Sequence, residues 1–235
     1  MDLFPKILLA GTPLLLAATP LAAVAQQAGD TIIGAGVAVI APRESLGPLS
    51  STGPAAAAFN VATAGATASI GRETTLSASV LHMFTDHLAA ELTLGVPPKL
   101  QVDVRLRSGV HHGAATAREI TPALVGKYLF MRPRDHLRPY LGLGVAYTKF
   151  SQVRINRSDP LVVGLAGTSA SLSSEWSPVV SAGFIYNIDD RWSVNASVSY
   201  LRLKTTATLV GSGTTTSGEL KLNPVDYVVR LGYRF

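Results

Sequence analysis

The chain has 235 residues, of which 47% are apolar and 15% charged, against roughly 25% charged in an average soluble domain, so a disordered protein is excluded. Mean hydropathy is +0.30, yet past the N-terminus no stretch approaches the ~20 apolar residues of a spanning helix, which excludes a polytopic helical membrane protein. Cysteine is absent and the net charge of +5 is carried by scattered Lys and Arg, so thiol chemistry and disulfides are excluded and no basic patch for nucleic acid is present.

Residues Met1 to Ala25 read as a cleaved secretory signal. Lys6 gives a short n-region, Ile7 to Leu16 the apolar h-region, and Ala23-Val24-Ala25 the small-x-small cleavage site. An uncleaved anchor is the competing reading, but Gly11, Pro13 and Pro20 interrupt the stretch. Cleavage leaves Gln26 first in an exported protein, residues 26–235. It removes Asp2 and Lys6 together, so the net charge is unchanged.

The exported part is apolar at every other position. Eight such segments follow in chain order: Thr31–Ala41, Arg72–Phe84, Leu88–Val96, Ile120–Met131, Arg138–Phe150, Trp176–Ile188, Trp192–Lys204 and Glu219–Phe235. Each has about the length of a tilted transmembrane strand. The last shows the pattern best, with Val225, Tyr227, Val229, Leu231, Tyr233 and Phe235 alternating with Asp226, Val228, Arg230, Gly232 and Arg234. Long links (42–71, 97–119, 151–175, 205–218) alternate with short turns (85–87, 132–137, 189–191), as when all turns lie on one side of a membrane and all loops on the other. The prediction is an all-β, eight-stranded antiparallel up-and-down transmembrane β-barrel with both termini periplasmic and four long surface loops.

Aromatic positions fit interfacial girdles. Phe84, Phe130, Tyr186, Trp192, Tyr233 and Phe235 fall at the turn ends, and Tyr147, Phe150, Trp176 and Tyr200 toward the loops. A terminal Phe235 after alternating apolar residues is the kind of ending that barrel-assembly machinery accepts. Outer-membrane lipid is the other expected partner.

Several segments resemble the OmpW family of small outer-membrane barrels. Residues 81–92, Leu81-His82-Met83-Phe84-Thr85-Asp86-His87-Leu88-Ala89-Ala90-Glu91-Leu92, are similar to that family's "YMFTDNIAVEL" region, with His82 where the family often has Tyr. Arg138-Pro139-Tyr140-Leu141-Gly142-Leu143-Gly144-Val145-Ala146-Tyr147-Thr148-Lys149-Phe150 resembles "RPYVGAGVNYTXF". Trp192-Ser193-Val194-Asn195-Ala196-Ser197-Val198 is like "WXLNASV", and the chain ends on "GYRF". Ala55–Ala58 and the segment 97–118 match none of its patterns. The resemblance implies an eight-stranded barrel with a narrow, hydrophobic passage for small hydrophobic compounds.

Eight strands leave room only for side chains or one small ligand, which excludes a wide porin. The alternation points Glu91, Lys127, Tyr140, Arg230 and Arg234 into the lower lumen, as a polar plug or an ion relay. In the upper half Gly36, Ala38, Ser77, Gly95, Val125, Gly144, Ala146, Val179, Ser199, Leu201 and Leu203 point inward, predicting an apolar funnel, with Val125, Gly144, Ala146, Val179, Leu201 and Leu203 as its hydrophobic passage. Pro122, Pro178 and Pro224 sit near the outer ends of descending strands, where a missing N–H weakens the wall. They mark either a lateral opening or mere fraying above the membrane.

Chemistry beyond binding finds little footing. His82, His87, His111, His112 and His136 form no metal-ligand spacing, and His111-His112 reads as a solvated loop dipeptide before a weak surface metal site. No phosphate loop or acid pair appears, and Asp189-Asp190 is explained by its turn. The expectation is a non-enzymatic channel or receptor for a small hydrophobic ligand, with no cofactor and no nucleic acid. The competing reading is a structural surface barrel acting through its loops.

Overall fold

A computed structural model describes residues 26–164 and 166–235. The predicted signal segment lies outside them. Eight long strands build the barrel: β1 (Thr31–Ala41), β2 (Glu73–Met83), β3 (Leu88–Gly95), β4 (Ala123–Leu129), β5 (Leu137–Ile155), β6 (Glu175–Asn187), β7 (Trp192–Leu201) and β8 (Val225–Arg234). Each pairs antiparallel with its neighbours in sequence. The β1–β8 ladder, from Ile32 opposite Arg234 to Ala41 opposite Val225, closes the ring. Phe235 extends that seam, its N–H donating to the Thr31 carbonyl at 3.0 Å.

Closure follows from the period of two. In β5 the even-numbered Arg138, Tyr140, Ala146 and Thr148 are buried inside, while Leu141, Leu143 and Val145 are exposed outside, Leu143 to 72%. Such an apolar outer band has no place in water and matches hydrocarbon. The inner face of the wall is tight at Gly144, where a Cβ would lie 2.1 Å from the Leu124 carbonyl oxygen. Gly144 therefore serves the close approach of β4 and β5.

The long links are folded, contrary to their Gly-, Ser- and Thr-rich look. Strands Lys99–Leu106 and Gly109–Ile120 form a hairpin whose second strand pairs with the outer part of β5. Thr67–Ile70 pairs with the hairpin's first strand. Strands Lys204–Gly211 and Thr214–Lys221 form another hairpin, flanked by Gly167–Leu172 and by Ser45–Leu46 and Ser50–Thr52. Two short helices, α1 (Ala56–Ala62) and α2 (Pro160–Gly164), complete the outer part. With 19 residues, β5 runs on the order of 60 Å, about twice the hydrocarbon thickness, so the barrel wall continues beyond the hydrocarbon on the side of the long links.

Four predicted strand ends move accordingly, one of them the outer end of β5, which runs on from Phe150 to Ile155. Ile120 belongs to the outer hairpin, and β4 begins after a break at Thr121-Pro122. β7 ends at Leu201, and Glu219 belongs to the second hairpin, with β8 starting after Leu222-Asn223-Pro224. Two of these breaks contain a proline, which cannot donate to a ladder.

Candidate functional site

The lumen is closed at the turn end. Ile32, Leu81, Met83, Ala89, Leu129, Tyr140 and Ile185 pack into one apolar layer. Outside it, residues 26–30 cross the mouth from β1 toward β5 and β6. Arg138, fully buried, donates to the Gln26 carbonyl at 2.6 Å and to the Asp86 carbonyl. The Gln26 side-chain amide donates to Asn187 Oδ1 at 2.7 Å, and the Ala28 N–H donates to Asp86 Oδ1 at 3.0 Å. β5 lies opposite β1 in the ring, so this segment is a strap tied down on the far side.

The next layer inward is charged. Glu91 accepts an ion pair from Lys127 Nζ at 2.7 Å and another from Arg230 at 3.5 Å, with all three side chains buried. Arg230 also donates to Ser77 Oγ at 2.8 and 3.0 Å. Lys127 Nζ stands 4.0 Å from the ring centroid of Tyr140, whose hydroxyl donates to Asn195. One carboxylate between two cations, with each lone pair occupied, is the arrangement that makes a buried ion pair tolerable. Arg234 does not join this cluster. It reaches Asp30 at 3.1 Å, at the rim, because it lies four residues further down β8.

Above the charged layer is a cavity of about 110 Å³. Its lining includes the expected Val125, Val179, Ser199 and Leu201, but also Thr75, Thr121, Ser181, Glu119 and Asp226. The predicted apolar funnel is therefore a mixed chamber at this level. Ala146 packs with Val125, Val179 and Leu201 on one side of it. Glu119, in the outer hairpin, accepts from Thr121 Oγ1 at 2.7 Å, and burial holds its pKa above the usual carboxylate range.

The apolar space lies higher, and sequence reasoning missed it. Ile70, Leu100, Phe150, Leu203, Leu220 and Leu222 form a septum across the outer end of the barrel. Beyond it is a cavity of about 160 Å³ lined by residues such as Leu46, Val102, Val104, Val153, Ala170, Leu172 and Leu209. Val162 of α2 also lines it and is buried. Leu203, expected in the membrane funnel, is instead fully buried in the septum. Phe150, expected at the outer girdle, is in the septum too, because its even number puts it on the inner face of β5.

The remaining predicted aromatics point outward. Phe84, Phe130, Tyr186, Trp192 and Phe235 are exposed, and Tyr233 bridges Trp192 and Phe235 with ring centroids 4.9 and 5.0 Å apart. At the outer side Tyr147 and Trp176 lie 5.0 Å apart. The three prolines stand at the outer wall. The carbonyl of Pro122 accepts from Tyr147, that of Pro178 from Arg202 and that of Pro224 from Leu201. In an antiparallel ladder N–H and C=O of one residue face the same neighbour. Pro178 and Pro224 thus deprive the outer end of β7 of a donor on each side.

The histidine dipeptide is engaged by carboxylates, His111 by Asp159 at 3.0 Å and His112 by Asp103 at 2.8 Å. Among the described residues no group of three His, Cys, Asp or Glu is placed to hold a metal ion.

A closed eight-stranded barrel with an apolar outer band, aromatic turns and a charged lumen defines an integral outer-membrane β-barrel protein. The OmpW family model matches residues 27–235, and the chain belongs to that family. It is 27% identical to outer membrane protein W of Vibrio cholerae over 98% of this chain and all of that protein. Outer membrane protein W of Escherichia coli is 29% identical over 91% of this chain and 92% of its own length. The crystal structure of OprG from Pseudomonas aeruginosa superimposes with a TM-score of 0.79 at 26% identity, covering 90% of this chain and 98% of OprG.

Proposed function

We propose that the protein is a narrow passage for small hydrophobic molecules, entered from the cell surface and left sideways through the wall. The observation that carries this reading is the stacking of an apolar extracellular cavity, behind a septum of Phe150, Leu203 and their neighbours, on a barrel whose turn end is shut. A ligand in the outer cavity is surrounded by hydrocarbon side chains, each buried CH₂ worth about 0.8 kcal/mol. Straight descent means desolvation at Glu91, Lys127 and Arg230, then an apolar layer, then the strap. The wall is the easier way out.

Pro178 and Pro224 support a lateral exit on either side of β7, and Pro122 a second between β4 and β5. The outer edges there lack ladder donors, and Leu201, on the inner face of β7, packs at the chamber side of the seam. Purified protein in lipid vesicles tests this directly. Pro178→Val, which restores an N–H facing β7, slows uptake of a fluorescent alkyl probe severalfold without altering heat-modifiable gel mobility. Unchanged uptake by both Pro178→Val and Pro122→Val removes the lateral exit.

The same reading assigns Phe235 to recognition by the assembly machinery. Its ring is exposed while its backbone is tied to β1.

A further inference from the structure

Resting on the passage reading above, we propose that the preferred ligands are hydrocarbon chains that end in a cationic hydrogen-bond donor, an alkylammonium group, received below the septum by Glu119 and Asp226.

The outer half of the barrel carries a surplus of acceptors. Among the described residues four buried side-chain atoms have no hydrogen-bond partner, namely Oγ of Ser177, Oγ of Ser181, Oδ1 of Asn223 and Oδ1 of Asp226. Native interiors leave few such groups, and each asks for an explanation. All four lie on β6 or at the outer start of β8. Asp226 and Ser181 line the chamber, with Ser199 between them, opposite Asp226 in one ladder and opposite Ser181 in the next. Ser177 is on the same inward face of β6 as Ser181, and Asn223 donates its backbone N–H to the carbonyl of Leu203 in the septum. Ser181 is 9% exposed and lines the chamber beside Gly142.

The missing partner is a donor. Asn223 Oδ1 and, in the ionised carboxylate, Asp226 Oδ1 only accept, and the two serines accept as well as donate. Glu119, 7% exposed, adds a second carboxylate that receives one hydroxyl, that of Thr121. Among the described residues neither Glu119 nor Asp226 forms a salt bridge. The two cations lining the chamber are already engaged, Lys127 by Glu91 and Arg230 by Glu91 and Ser77. A buried carboxylate without a counter-charge is costly, and an ammonium with three donors relieves both the charge and the unmade bonds. A ligand carboxylate placed there meets two like charges. An apolar tail attached to such a head extends upward through the septum of Phe150, Leu203 and Leu222 into the outer cavity, so one molecule satisfies both compartments.

The test uses the full barrel in lipid nanodiscs, with empty nanodiscs subtracted, and isothermal titration at pH 8 with octylammonium, octan-1-ol and octanoate. The expected order is octylammonium at least tenfold tighter than octanoate, with octanol between. Asp226→Asn and Glu119→Gln each shrink that ratio severalfold, with folding confirmed by gel mobility. Octanoate binding as tightly as octylammonium, or a ratio that neither variant moves, overturns the inference and leaves the acceptors as a hydration site beneath an otherwise intact hydrophobic passage. Failure of all three probes to bind overturns the passage reading itself, and this inference with it.

Discussion

Glu91 holds the lower lumen together by standing between Lys127 and Arg230, and the value of that arrangement lies in its completeness. Removing the carboxylate leaves two buried cations facing each other, which costs about 3–5 kcal/mol. Glu91→Gln is therefore expected to lower the midpoint of urea unfolding in detergent, and Glu91→Gln with Lys127→Met to recover part of the loss. Glu119 behaves oppositely. Burial raises its folded-state pKa above the unfolded value, so its protonated form favours the fold. That contribution is complete below the ordinary Glu pKa of about 4.3 and is lost as pH rises through the raised folded value. The slope of thermal stability against pH between those two values is expected to flatten in Glu119→Gln, and an unchanged slope contradicts the assignment. At this scale the sequence was partly legible. The alternation placed Glu91, Lys127, Tyr140 and Arg230 on one inner face, and they meet. Arg234 obeyed the same parity but sits too low on β8 to reach them, and the single-residue rule carries no height.

Strand ends show where a periodic reading runs out. β1 keeps the bounds that its alternation gives, because both its faces are continuous from Thr31 to Ala41. β4, β7 and β8 do not, since the inner strand and the outer hairpin strand read as one pattern until a break at Thr121-Pro122, Arg202-Leu203 or Leu222-Asn223-Pro224 redirects the chain. The outer hairpins themselves are rich in Thr, Ser, Gly and Ala, as in Thr214–Lys221. Thr214–Lys221 offers a single large apolar side chain, Leu220, too few to mark a buried face, so it passes for a loop, whereas Lys99–Leu106 alternates Leu100, Val102, Val104 and Leu106 as a strand does. The segment 26–30 is a third such element. It has no periodicity, and its role as a strap appears only when β5 brings Arg138 across from β1. Arg138→Ala is expected to free it, raising single-channel conductance in planar bilayers from a closed baseline and speeding amide exchange at Ala28. A silent channel with unaltered exchange contradicts the role given to the strap.

Taken whole, the molecule stacks five layers from the loop end to the turn end: an apolar outer cavity, a septum, an acceptor-rich chamber, a charged layer and an apolar layer that closes the turn end. The barrel and the outward-facing aromatics at its turns were readable from length and alternation. The outer cavity was not, because its lining comes from all four surface links and its floor joins Ile70, Leu100, Leu203 and Leu220 from separate segments. Only the closed tertiary structure assembles them. In the proposed passage the outer cavity is the entrance, and Ala170, on its wall, is the place to block it without touching the membrane barrel. The decisive measurement is the accumulation rate of a labelled small hydrophobic compound in cells carrying the wild-type barrel, no barrel, or Ala170→Trp, with equal assembly verified by heat-modifiable mobility. The account predicts faster accumulation with the wild-type barrel and a fall to the barrel-free rate with Ala170→Trp. Equal accumulation in all three contradicts it and returns the folded surface links to the role of a partner-binding face.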